Sequence, residues 1–101
     1  MSFDSVNEVL VQECLNKRGL RNSVNGFQFA FELVCLMVQA HSFTVKKEIK
    51  EKMIQRYPEL DYAHIRNSIR YALKSSGINM TVRDFLTAVY QDVQKETCNY
   101  K

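Results

Sequence analysis

Apolar side chains recur along this chain at steps of three and four residues, the spacing that gives a helix one face to bury. Val6, Val9, Leu10 and Cys14 trace the first stripe. Ser5 followed by Glu8 forms a capping box at its start and Gly19 stops it, which predicts a helix from about Val6 to Arg18. After a polar connector ending at Gly26, Phe27 to Ala40 is apolar nearly all round. Only Gln28, Glu32 and Gln39 form a narrow polar stripe, the pattern of the buried central helix of a bundle. Thr44 is placed to cap a third helix, in which Val45, Ile49, Met53 and Tyr57 repeat at spacing four until Pro58 ends it. Asp61 caps a fourth helix, running to about Ser75 and closing near Gly77. Thr81 with Asp84 opens a fifth, with Phe85, Leu86, Val89, Tyr90 and Val93 as its stripe, and the tail from Lys95 is expected to fray. The pattern predicts an all-α fold, one compact bundle of about five helices spanning residues 1–101.

Composition narrows this only slightly. One proline and three glycines, with no hairpin turn between alternating strands, agree with an all-helical chain of 101 residues and a single core. Cys14, Cys35 and Cys98 have no C-x-x-C spacing, and the first two fall among apolar helical positions as small hydrophobes. A reduced, cytoplasmic protein is the expectation. The acidic N-terminus lacks the apolar stretch of a signal peptide, and Leu33 to Val38 is far too short to span a bilayer, so no membrane association is expected.

Charge changes the picture more. From Thr44 to Ser76, eight cations face four acids for a net +4, whereas residues 1–43 sum to −1 and residues 77–101 to zero. The excess lies in helices three and four, joined by the breaker Tyr57-Pro-Glu-Leu60. Helix four divides into two faces. Ile65, Ile69, Ala72 and Leu73 form a packing stripe, while Arg66, Arg70 and Lys74 line up at spacing four beside Asn67. This is the outline of a helix-turn-helix over about 44–76, its second helix entering the DNA major groove. Arginine pairs bidentately with guanine and asparagine with adenine, and a longer cation reaches phosphate; a solvated face on an ordinary bundle helix is the alternative. His64 fits a phosphate or base contact and equally a surface role. Lys46, Lys47 and Lys50 fit backbone contacts, or plain i, i+4 pairs with Glu48 and Glu51. The aromatic set Phe27, Phe29, Phe31, Phe85 and Tyr90 reads as core, as do Met37, Met53 and Met80.

With its helices placed, the chain resembles the C-terminal DNA-binding domain of the sporulation initiation regulator, stage zero sporulation protein A. Cys14-Leu-Asn-Lys-Arg-Gly19-Leu20, followed by Val24, Gly26, Phe27 and Phe29, is similar to that family's passage from a helix through two glycines into an aromatic-rich helix. Ala63-His-Ile-Arg-Asn-Ser-Ile-Arg-Tyr-Ala72 is similar to its recognition helix, and Thr81-Val-Arg-Asp-Phe-Leu-Thr-Ala-Val89 to its final helix. The resemblance implies a bacterial, sequence-specific transcription regulator that binds double-stranded DNA at repeated sites as a homodimer or tandem pair. His64, Arg66, Asn67, Arg70, Tyr71 and Lys74 would then lie on its recognition helix. Arg70 matches a family arginine, Tyr71 stands where the family has histidine, and Arg66-Asn67 stands where it has a Glu-Arg pair. The segment from Ser75 to Met80 is shorter than the family's, and the family's phosphoacceptor receiver domain is not expected here. The alternative is a protein-interaction module of the same fold that no longer reads DNA and modulates a full-length regulator. An enzyme is not expected: His41 and His64 lie in different elements, and no metalloprotease, phosphate-loop or nucleophile-elbow motif occurs. No cofactor is expected.

Overall fold

Five helices follow one another in the computed structural model, which describes residues 7–22 and 24–98: α1 (Glu8–Lys17), α2 (Phe27–Gln39), α3 (Lys47–Arg56), α4 (Tyr62–Ser75) and α5 (Val82–Cys98). No strand occurs among the described residues. α2 is the hub, packing against each of the other four helices. Its run Leu33, Val34, Cys35, Leu36 and Met37 is buried throughout, as the nearly continuous apolar pattern requires.

The helix ends explain why the chain turns where it does. Asn7 caps α1 by accepting the Leu10 N–H at 3.1 Å; Ser5 and Val6, where the sequence places the start of this helix, lie outside the described residues. The buried face of α1 is Leu10, Val11, Cys14 and Leu15, and Val9 is 65% exposed. Three consecutive apolar residues, Val9, Leu10 and Val11, allow two overlapping stripes, and Leu15 and Leu20, both fully buried, select the second. At Gly19, with φ +100°, the Leu20 N–H reaches back to the Leu15 carbonyl at 3.1 Å and the Gly19 N–H to Asn16 at 2.9 Å, a left-handed C-cap. α4 ends in the same way at Gly77, where Ile78 N–H meets the Leu73 carbonyl at 2.9 Å.

α3 begins later than the sequence suggests. Lys46 is its N-cap residue, without a side-chain capping bond, and Thr44 caps nothing. The Ser42 hydroxyl donates to the Thr44 carbonyl at 2.7 Å and holds those residues in a turn. Ile49 and Met53 face the core, and Tyr57 meets Phe29 edge to face with ring centroids 5.0 Å apart. The largest surprise is Glu32. Expected on a polar stripe, it is 1% exposed, and its carboxylate accepts from the Arg56 guanidinium, the Tyr57 hydroxyl and, at 3.0 Å, the Gln28 amide. Arg56, counted above among the excess cations, is therefore neutralised by α2. Burial, and then the bond to Glu32, pushes the Tyr57 phenol up to about 12.

α4 is fastened at three points. Asp61 accepts the His64 N–H at 2.8 Å and caps it as expected. Arg21 donates to the Ser75 carbonyl at 3.5 Å. Between them, Gly26 at φ +94° comes so close that a Cβ there would lie 2.4 Å from the Ser68 carbonyl oxygen. Beneath, Ile65, Ile69 and Leu73 are buried, each contributing about 1.5–3 kcal/mol by the usual scale of side-chain burial. Thr81 Oγ1 accepts the Asp84 N–H at 3.1 Å and caps α5, which runs past Lys95 to Cys98; residues 99–101 of the expected tail lie outside the described residues. Phe27, Phe85, Met37 and Met53 are buried and Phe29, Phe31 and Tyr90 partly so, while Met80 is 37% exposed in the connector before Thr81 and is not core. Burial raises the thiols of Cys14 and Cys35, the latter to about 12.

Candidate functional site

With Ile65, Ile69, Ala72 and Leu73 turned inward, α4 exposes Arg66, Asn67, Arg70, Tyr71 and Lys74. A period of 3.6 residues and a rise of 1.5 Å put Arg66, Arg70 and Lys74 about 6 Å apart along one side of the helix. None of the three has a carboxylate within ion-pair distance among the described residues. Ion pairs seen there include Arg18 with Asp92, at 2.7 Å, and Arg56 with Glu32. The cations of α4 thus form an uncompensated row.

Three depressions border this row. A shallow one of about 240 Å³ is lined by Asn67, Arg70, Tyr71 and Lys74. A second, about 680 Å³, runs between α4 and the segment leading into α5; Arg66, Arg70 and Lys74 stand on one side and Arg83 with Asp84 on the other, over an apolar floor that includes Leu73 and Ile78. A third, about 430 Å³, opens beyond Arg66 toward α3 and includes Lys50, Tyr62 and again Arg83. Lys50 Nζ lies 5.1 Å from the centroid of the Tyr62 ring, which anchors that lysine next to the first turn of α4. Burial raises the Tyr62 phenol and the nearby Arg66 charge opposes the rise.

The site residues expected from sequence are therefore not one set. Arg66, Asn67, Arg70, Tyr71 and Lys74 come together, and Lys50 joins at the Arg66 end. Lys46 and Lys47 are exposed at the start of α3 and do not line these depressions, although Val45 beside them lines the third. His64 is exposed in the first turn of α4 and does not line them, and its backbone is engaged by Asp61 and Ser68. Arg83 was missed. Its signal lies in the sequence nonetheless: it is a cation in the first turn of a helix, where the macrodipole favours acids. No group of three His, Cys, Asp or Glu side chains could hold a metal among the described residues, and no helix there is long and apolar enough to cross a membrane.

No protein family, curated protein or solved structure matches this chain. The resemblance to the sporulation effector domain rests on its three sequence blocks. In the fold these fall on the α1 end and α2 start, on α4, and on the α5 cap with its first turns.

Proposed function

We propose that this chain is a DNA-binding transcription regulator, with α3 and α4 as a helix-turn-helix and α4 in the major groove. The observation that carries the reading is the uncompensated row of Arg66, Arg70 and Lys74 beside Asn67, on the exposed side of α4 that adjoins its packing stripe. A 14-residue helix is about 21 Å long, and a width of about 10–12 Å with side chains matches the roughly 12 Å major groove. Arg66 and Asn67 supply base contacts. Arg70 and Lys74 fix the register on phosphates, and Lys50 adds a backbone contact from α3. The resemblance supports the same assignment and adds binding to repeated sites as a dimer or tandem pair.

A second reading is favoured by one observation, the exposure of Tyr71 at 73% and Met80 at 37% near the cations. Large apolar groups beside charge suit a protein partner, here a full-length regulator that this chain would modulate. Fluorescence polarisation with a random-sequence duplex separates the two. The DNA reading expects binding at low salt that weakens steeply at moderate salt, because each neutralised phosphate adds about 0.9 to the log-log slope. Absence of binding at low salt would overturn it and leave the regulator as the ligand to test.

A further inference from the structure

We infer that the nucleic-acid interface does not end with α4 but continues onto the first turn of α5, where Arg83 grips a phosphate on the strand flanking the groove. The inference rests on the DNA reading above and adds a residue from another helix to it.

Arg83 borders both larger depressions, and so does Arg66. The two guanidinium-bearing residues thus stand on opposite sides of the gap between α4 and α5. Lys50 shares one of these depressions with them, and Arg70 and Lys74 share the other. Five cations from α3, α4 and α5 consequently border two depressions that share Arg66, Val82 and Arg83, with Asp84 as the acid among their lining residues. A backbone that follows α4 along a groove meets cations on both its sides, the arrangement that phosphate contacts use to fix orientation.

The fold gives Arg83 no other employment. It is exposed, has no ion-pair partner among the described residues, and sits two residues after the Thr81 cap, where the helix dipole repels a cation. A residue that burdens its own helix is expected where a ligand offsets the burden. A purely structural role predicts the reverse.

The test measures two quantities on the full chain with Arg83→Gln and Arg83→Glu: the salt dependence of binding to a random duplex, and Tm. Arg83→Gln is expected to lower the log-log slope by about 0.9, and Arg83→Glu to weaken low-salt binding further, while Tm stays unchanged or rises in both. If the wild-type chain binds no duplex at low salt, the DNA reading falls and this inference with it. A wild-type chain that binds, together with an unchanged slope in Arg83→Gln, would overturn the Arg83 contact alone. Loss of slope accompanied by a lower Tm in both variants would also overturn it, since Arg83 would then be serving the fold.

Discussion

Replacing Gly26 by alanine sets a methyl group against the middle of α4. The added Cβ would lie 2.4 Å from the Ser68 carbonyl oxygen and 2.8 Å from its carbon. Both atoms are backbone, so no rotamer change relieves the overlap; reaching even 3.0 Å requires α2 and α4 to separate by 0.6 Å at this point. Overpacking of this kind costs about 1–3 kcal/mol. The left-handed conformation, φ +94°, adds about 1–2 kcal/mol for any residue with a side chain. The total, about 2–5 kcal/mol, is a large share of the roughly 5–15 kcal/mol that holds a domain folded, and corresponds to a fall in Tm of roughly 10–30 °C. Gly77→Ala is the control, since φ there is +74° and nothing lies within 4 Å of the new Cβ. It carries the conformational cost without the collision, and the entropy that alanine removes from the unfolded chain is common to both variants. Urea unfolding of the two proteins, followed by circular dichroism, gives the difference directly. Gly26→Ala should be the less stable by about 1–3 kcal/mol. Equal midpoints and slopes would show that the close approach of α2 to α4 is not present in solution.

Arg70→Ala should weaken duplex binding and lower its log-log salt slope by about 0.9, whereas an unchanged slope removes Arg70 from the interface. Glu32→Ala strips the buried counter-charge from Arg56 and should cost about 3–5 kcal/mol in urea unfolding; a loss below 1 kcal/mol would mean that solvent reaches Arg56 freely. The Tyr57 phenol ionises at about 12 in the folded chain against 10.0 ordinarily, so the unfolded chain loses its proton first and stability should fall as pH rises between those values. Tyr57→Phe should flatten that part of the stability-versus-pH curve, and an identical alkaline slope in the variant would assign the dependence elsewhere.

What could be seen in the sequence was whatever depends on near neighbours. Five helices follow from apolar spacing, the Asp61 and Thr81 caps from residues three positions ahead of the N–H groups they accept, and the ends at Gly19 and Gly77 from a residue that tolerates positive φ. The inward and outward faces of α4 could be read in the same way. What escaped depends on partners distant in the chain. Glu32 looks like a surface position until Arg56 and Tyr57, 24 and 25 residues later, are folded over it. Gly26 resembles any connector glycine until Ser68 arrives against it. Val9 reads as inward because periodicity alone does not choose between adjacent stripes, and Thr44 reads as a cap because the Ser42 hydroxyl's competing bond carries no periodic signal. Arg83 belongs to α5, and only the fold brings it beside the cations of α4.

The three fastenings of α4, at Asp61, at Gly26 and at Ser75, involve its cap residue and its backbone and none of its outward side chains. Position and message are thereby separated. Arg66, Asn67, Arg70, Tyr71 and Lys74 can be exchanged as a set without disturbing how the helix is mounted, so a library randomised at these five positions should remain folded while its members differ in what they bind. Such a chain is a fixed socket carrying a replaceable face, its mounting independent of what that face displays.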